Sequence, residues 1–474
     1  MRGLQTTGEA VVPPDCVVSS VRGAAEQPEI RMRRTMAQIH KVLTVWFVFV
    51  AFTHPAFAQP TNPVANIPVV SIPAASSIST QKFGGIIGIR ELHGGRVLVD
   101  DGGSRQLRLF DSTLTFGMIV LDSVSEGSNM YGRRRAPIIP YLADSTLFPD
   151  YAAFAMLVID GKGQVIRSMA LPTQSDIGII RQGAGLDKQG RLVFVGQSPT
   201  ITPSVAGSPQ SKSDSMPLLR ADFDLRRTDT IGQVLRPMRV TRASSPDGSA
   251  TLGMWTVDGL RTLDDWAILS DGTIALVRGH DYHVDWIRAN DLRDASEKLP
   301  FDWKRLTDDD KQRMIDSARQ VLSESMADGS IVNRVELMTV TRVPGTRPAL
   351  QPATPRPAPA RGSTAFPGFT LLPSDAVQLG SVHDYYPPLR SGAAMADADG
   401  NLWILPSTSK QSQQGELVYD VLNTKGELFR RVRVPLGRLI VGFGIGGVVY
   451  MSSGSIANGF LLERSRVALA AVLK

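Results

Sequence analysis

Residues 266–291, WAILSDGTIALVRGHDYHVDWIRAND, decide the reading of this chain, because three short strands and the turns between them can be read from it directly. Residues 266–269 form an apolar run. Ser270-Asp271-Gly272 supplies a turn whose glycine tolerates positive φ, and 273–278 is rich in β-branched and apolar side chains. A second turn falls at Gly279-His280-Asp281. Beyond it Tyr282, Val284 and Trp286 alternate with His283, Asp285 and Ile287, so a strand presents the first three on one face and the second three on the other. The stretch is an antiparallel meander with large side chains to bury.

Outward from it the same pattern recurs. Strands are expected at 86–92, 96–100, 106–110 and 115–121, with turns at His93-Gly94-Gly95 and Gly102-Gly103-Ser104. A hairpin at 155–159 and 164–171 turns over Asp160-Gly161-Lys162-Gly163. It reads as the outer half of a second unit, since 133–151 is irregular and holds proline. Strands at 183–187, 191–195, 218–225 and 228–234 make a third unit, and the opening stretch is the fourth. A fifth runs through 393–396, 402–405, 417–422 and 427–434, and a last through 439–442, 448–451 and 459–462.

Aligned on the glycine before the second strand, the units bring Gly95, Gly190, Gly272, Gly400 and Gly447 into register, the last two 47 residues apart. That spacing matches the ~40–50 residues of one four-stranded propeller blade. A lone meander leaves two edges and an unburied face, so such units persist by stacking radially into a closed ring. The expected fold class is all-β, a β-propeller of about six four-stranded blades, the spacings allowing five to eight. Trp266, Trp286, Trp403, Tyr419 and Phe443 fall at equivalent places and read as packing between blades.

Two segments break the array. Thr307 and Asp310 make a capping-box-like start, Met314, Ile315, Ala318, Val321 and Leu322 share one face at a 3.6-residue period, and Gly329 is a stop. An amphipathic helix is expected over 307–329, capping one end of the ring with those five side chains inward. Residues 344–373 form a Pro-rich loop, and its run 344–362, with six prolines in nineteen residues, cannot join a sheet.

Before the first blade, residues 1–58 read as an N-terminal extension and signal peptide. Arg33, Arg34 and Lys41 form a basic region, 42–52 (VLTVWFVFVAF) an apolar one, and Ala56-Phe57-Ala58 a cleavage site before Gln59. The start is Met1, Met32 or Met36, and the polar sequence upstream favours the later two. Residues 59–82, Pro- and Ser-rich, read as a flexible tether, and 83–474 as the propeller domain. The expected location is extracytoplasmic, periplasmic or secreted, with no membrane span once the signal is cleaved.

The one cysteine, Cys16, falls in that leading segment, so the processed chain relies on its apolar core without disulfides. Residues 1–58 hold six Lys/Arg and four Asp/Glu, which leaves +4 of the formal +6 on the remainder. So small a charge on so long a chain argues against a nucleic-acid partner, and Arg133-Arg134-Arg135 reads as a solvated loop.

The recurring strand, D-x-G or G-G turn, strand pattern, as in GRVLVDD (95–101), GRLVFVG (190–196) and DGNLWIL (399–405), followed by RLFDS (108–112) or YDVLNTKGEL (419–428), resembles the bacterial six-bladed β-propellers of the NHL-like group. The resemblance covers about 83–464 without the helix and the Pro-rich loop, and its motifs are structural. It implies a ring with a central channel and loops on two faces, in a family that includes binding modules and enzymes.

The sharpest polar cluster is His280, Asp281 and His283 with Asp285, whose side chains are of metal-ligating type. Residues three apart in a strand point to opposite faces, so His280 and His283 cannot ligate one ion without a bulge. Asp271, Asp397 and Asp399 lie in turns where capping explains them. D-A-D-G-N at 397–401 has a calcium-loop look but lacks the distal Glu. Calcium and zinc are the only cofactors these clusters raise, and no residue is assigned as a metal ligand. Nucleophile elbow, H-E-x-x-H and phosphate-loop patterns do not occur, so no catalytic residue is assigned. The reading is an exported, monomeric binding or interaction module for a protein, peptide or glycan. The alternative is a metal-dependent hydrolase or lyase of the lactonase-like propeller type, its site in the central channel. A structural part of an envelope assembly is a third.

Overall fold

The computed structural model describes residues 67–468 apart from 123–136, 152, 174–175, 178–179, 181–182, 197–213, 246, 249, 328–336, 343–369, 372–376, 378, 408–415 and 456. In it the opening stretch forms Asp265–Ile268, Ile274–Arg278 and His283–Ile287, with Arg293–Ala295 as a fourth strand, all antiparallel. The expected alternation holds. Tyr282, Val284 and Trp286 are buried together against one neighbouring blade, and Ile287 is buried against the other.

The chain is a six-bladed β-propeller. Blade 1 comprises Ile86–Glu91, Val97–Asp101, Gln106–Phe110 and Phe116–Asp122, from the innermost strand outward. Blade 2 comprises Ile139–Pro140, Thr146–Asp150, Ala155–Ile159 and Val165–Met169, and blade 3 Gly185–Leu186, Leu192–Val195, Ser215–Asp222 and Arg227–Leu235. The opening stretch is blade 4. Blade 5 comprises Ala394–Ala396, Leu402–Ile404, Leu417–Leu422 and Leu428–Val434, and blade 6 Arg438–Gly444, Val448–Ser455 and Gly459–Arg466. Blade 2 does have its inner half. The two residues Ile139–Pro140 carry too little pattern to be seen in an irregular, Pro-containing run.

The five aligned turn glycines share one conformation, with φ of 76° at Gly95, 78° at Gly190, 84° at Gly272, 88° at Gly400 and 75° at Gly447. Only a residue without a Cβ takes up that left-handed geometry freely. At Gly272 an added Cβ would also come within 2.3 Å of the Lys188 backbone in the next blade.

Each gap between blades is filled by its own apolar cluster, and these are what make the ring one body. Leu98 and Leu107 meet Phe148 and Ile159 between blades 1 and 2, and Leu147 and Met156 meet Leu192 and Phe194 between 2 and 3. Val193 and Leu218 meet Trp266 and Leu276 between 3 and 4, and Trp286 meets Leu402 and Leu422 between 4 and 5. Trp403 and Tyr419 meet Val449 and Phe443 between 5 and 6, and Tyr450 meets Val97 and Phe110 between 6 and 1. Fully burying one such side chain contributes about 1.5–3 kcal/mol. The aromatic residues picked out for inter-blade packing all lie in these clusters.

The ring is closed from the amino-terminal side, which corrects the expectation of a flexible tether over the described part of 59–82. Val69–Ser71 pairs in parallel with the outermost strand of blade 5. Ser77–Ile78 pairs antiparallel with Gly459–Arg466 and supplies the fourth strand of blade 6. Pro68 and Pro73 hide this in the sequence, because each strand is only two or three residues long and flanked by proline.

A seventh sheet, unforeseen from the sequence, is assembled from two inter-blade connections. Met238–Ser244 and Ala250–Val257 lie between blades 3 and 4, and Leu337–Arg342 and Thr370–Leu371 between blades 4 and 5. The order is Leu337–Arg342, Ala250–Val257, Met238–Ser244, Thr370–Leu371, all antiparallel. Thr370 and Leu371 fall in the tail of the Pro-rich loop, beyond the 344–362 run expected to stay out of any sheet; that run lies outside the described residues, as do 1–58 with Cys16, and Arg133 to Arg135.

The helix spans Asp308–Ala327 and begins with the expected reciprocal cap, Asp310 N donating to Thr307 Oγ1 at 3.1 Å and Thr307 N to Asp310 Oδ2 at 3.0 Å. Ile315 is buried against Leu260, Leu306 and Val382, with Met314 and Ala318 beside it. Val321 is 45% exposed, so the buried stripe is narrower than expected and ends before the last turns. No helix among the described residues is long and apolar enough to cross a membrane.

Candidate functional site

A meander of this kind gives the ring two unlike faces. The upper face is where the innermost strands begin; it carries the inter-blade connections and the turn between the second and third strands of each blade. The lower face carries the remaining turns.

On the lower face most turns are capped by a polar side chain of their own, and the His93 turn of blade 1 by Asp144 of blade 2. Asp111 accepts from Thr113 N and Thr115 N, Asp160 from Lys162 N and Gln164 N, and Asp187 from Gln189 N and Arg191 N, at 2.8–3.0 Å. Asp271 accepts from Thr273 N at 2.9 Å. Asp397 Oδ1 accepts from Asp399 N and Asn401 N, and its Oδ2 from Asn401 and from the Trp403 indole at 2.8 Å. Asp399 reaches into blade 6, where Gly446 N and Gly447 N donate to its two oxygens at 2.9 and 2.7 Å. Carboxylates turned onto N–H donors in this way cap and staple the turns, which is the role expected for Asp271 and Asp397.

The upper face of blade 4 holds a ladder of alternating charge. Lys298 Nζ lies 3.4 Å from Asp281 Oδ2, and Asp281 Oδ1 lies 2.5 Å from His283 Nδ1. His283 Nε2 lies 3.1 Å from Asp285 Oδ1, whose Oδ2 accepts from Arg278 Nε at 2.7 Å. Arg278 Nη1 then donates to Asp264 Oδ2 at 2.7 Å and to the Gln233 carbonyl of blade 3 at 2.9 Å. Asp264, buried, also accepts from Gly279 N and from Leu235 N of blade 3, both at 3.0 Å. Burial works to raise the Asp281 carboxyl, but His283 and Lys298 outweigh it and hold it below its usual range.

The structure thus joins Asp281, His283 and Asp285, on one face as their spacing requires, and leaves His280 exposed in the turn. Both ring nitrogens of His283 face carboxylates, an arrangement that ties the turn to blade 3. Among the described residues no three His, Cys, Asp or Glu side chains gather to hold a metal ion.

Next to the ladder, Asp265 opens the innermost strand of blade 4, and its Oδ2 accepts from Ala394 N of the innermost strand of blade 5 at 2.9 Å. Burial pushes its carboxyl up to about 6, against the opposing pull of backbone amides and of Arg236. Such a carboxyl exchanges a proton close to neutral pH. Nearby, Arg390 donates to the Gly259 carbonyl at 2.5 Å. Beneath the ladder the Tyr282 hydroxyl donates to Asp420 Oδ2 of blade 5 at 2.8 Å, and Arg431 Nε donates to Asp420 Oδ1 at 2.8 Å. A recess of about 420 Å³ opens beside the start of the helix, lined by Arg305, Leu306, Thr307, Asp308, Lys311 and Asp384.

Asp264, Asp265, Arg278 and Arg236 were not visible as site residues in the sequence. The local cue was two adjacent carboxylates directly before an apolar strand, Leu263-Asp264-Asp265-Trp266; their partners lie in other blades.

No protein-family model matches the sequence, and no curated protein is similar to it. Among solved structures, a catalytically inactive virginiamycin B lyase from Staphylococcus aureus with quinupristin aligns over 82% of this chain and 98% of its own, with a TM-score of 0.35 and 10% identity. A gluconolactonase from Xanthomonas campestris aligns over 83% and 88%, with a TM-score of 0.31 and 9% identity. The calcium-binding protein regucalcin from Agrobacterium tumefaciens aligns over 84% and 96%, with a TM-score of 0.33 and 10% identity. At these values the likeness carries no argument about this chain. The class of protein defined by blade count and closure is a six-bladed β-propeller.

Proposed function

We propose that the chain is an exported, monomeric propeller of the NHL-like kind that acts as a binding module, taking a protein, peptide or glycan ligand on its upper face. The observation that carries this reading is the asymmetry of the two faces. The lower turns are short and most are closed by an Asp or Asn of the turn itself, whereas on the upper face two connections expand into a four-stranded sheet and a 20-residue helix. Recognition surfaces tend to sit on elaborated loops held by a rigid scaffold.

The test is hydroxyl-radical footprinting of the protein with a ligand selected from peptide and glycan arrays. Protection is expected at 236–265, 278–298 and 379–393. Protection confined to the lower turns, such as 111–115 and 160–164, contradicts the reading. Export is checked by sequencing the amino terminus of protein recovered outside the cytoplasm, which is expected to begin at Gln59.

A hydrolase or lyase reading, with a site in the channel, draws on one specific observation, the readily protonated carboxyl of Asp265 between two innermost strands. Elemental analysis of residues 59–474, with and without chelator, separates the two. A metal-free folded ring is expected for the binding module, and stoichiometric calcium or zinc favours the enzyme.

A further inference from the structure

The strand Met238–Ser244, in the seventh sheet, is built inside out. Its side chains alternate, and the inward set is Arg239, Thr241 and Ala243. Ala243 is fully buried and Thr241 is 6% exposed, while Arg242 on the opposite set is exposed. The apolar Met238 falls on the outward set with Arg242. A strand packed for stability alone places its apolar residues inward.

The inward polar groups are also unmet. Arg239 Nε and Nη1 and Thr241 Oγ1 are shielded from solvent and have no hydrogen-bond partner. Arg239 is half-buried, yet two of its N–H positions and the threonine hydroxyl are shielded without an acceptor, and such groups call for a partner from outside the chain. Residues two apart on a strand lie about 7 Å from each other along one face. A single small ligand can therefore span both.

We infer that Arg239 and Thr241 form a binding site for an oxyanion, a carboxylate or phosphate group carried by a small ligand. A charged guanidinium N–H can donate to one oxygen of such a group, and the threonine hydroxyl supplies a further donor along the same face. The strand leaves the ring at Leu235, beside Asp264 and Asp265 on the upper face, so the site lies within the surface read above as the binding surface and deepens that reading. Arg236, three residues before, carries positive charge to the root of the same strand and acts on Asp265.

The experiment is thermal unfolding of residues 59–474 in phosphate, citrate and chloride at matched ionic strength. The midpoint is expected to rise with phosphate or citrate, by about 2 °C or more at saturation, and to stay flat in chloride. Whichever of the two anions shifts it at the lower concentration identifies the source as phosphate or carboxylate. Arg239→Met and Thr241→Val are each expected to abolish the anion-dependent rise, and Arg239→Met to leave the midpoint in chloride unchanged or higher. If Arg239→Met fails to fold, the near-isosteric Thr241→Val carries the test.

A midpoint that tracks ionic strength alone, or a rise that persists in both variants, overturns the inference. A flat anion response together with upper-face footprints removes the oxyanion site and leaves the binding module standing. An anion-dependent rise with footprints confined to the lower face does the reverse.

Discussion

Asp101 and Asp265 occupy the upper ends of blades 1 and 4, and their surroundings treat the carboxylate in opposite ways. Asp101 Oδ1 accepts from the backbone N–H groups of Gly84, Gly85, Gly103 and Ser104 at 3.0–3.2 Å, its Oδ2 accepts from Ser104 Oγ at 2.7 Å, and Arg108 lies 3.3 Å away. Replacing it by alanine strands those donors in a buried corner. Asp101→Ala is expected to lower stability by about 3–5 kcal/mol in urea titration. A loss below about 1 kcal/mol would mean that the turn does not depend on this carboxylate.

Asp265 has fewer charged donors, and burial wins. The folded protein holds its proton up to about pH 6, whereas the unfolded chain releases it near the ordinary 3.8. Between those values the native state binds the extra proton, so this residue's contribution to stability falls as pH rises through the window. The loss amounts to at most about 3 kcal/mol by pH 7, less in so far as solvent reaches the group. Asp265→Asn cannot ionise, so its stability relative to wild type is expected to increase from pH 4 to pH 7. Urea midpoints of both proteins at the two pH values check this, and a constant difference between them contradicts it.

At the scale of elements, the helix shows what periodicity does and does not say. The cap at Thr307 and Asp310 and the buried Ile315 follow from local pattern. How far along the helix the core reaches depends on what lies opposite, and Leu260, Leu306 and Val382 meet only its first half. Ile315→Asp is expected to abolish hydrogen-exchange protection of the helix, at roughly 3 kcal/mol or more. Val321→Asp is expected to change it by no more than about 0.5 kcal/mol. Equal loosening by both would place the buried stripe wrongly.

The seventh sheet is the converse case. Its strands pair across connections that a whole blade separates, Leu252 with Val340 and Ala243 with Leu371, and no local signal names such partners. The two adjoining carboxylates at Asp264 and Asp265 are a local cue, but their partners are hidden for the same reason: Leu235 N belongs to blade 3 and Ala394 N to blade 5.

At the scale of the molecule, stability rests on closure. Removal of residues before Gln81 takes away Val69–Ser71 and Ser77–Ile78, exposes the last strand of blade 6, and withdraws the buried Ile72 from its cluster with Val432 and Val449. Such a chain is expected to lose about 3 kcal/mol or more and to self-associate through the freed edge. Thermal unfolding and size-exclusion chromatography measure both, and an unchanged, monomeric ring would mean that these strands are ornamental.

The blades were legible because their information is local: alternating side chains, a glycine at one left-handed turn position, and a large aromatic residue to fill the gap beside it are all set by neighbours in sequence. From these the sequence by itself determined an all-β ring of about six meanders and the residues that pack between them. Tertiary structure alone decided which amino-terminal strand closes the ring, how two distant connections form one sheet, and which carboxylates meet at the upper face. Those outcomes are pairings between segments far apart in the chain, and hydrogen-bonding capacity is the same on every strand edge, so only the assembled packing selects among them.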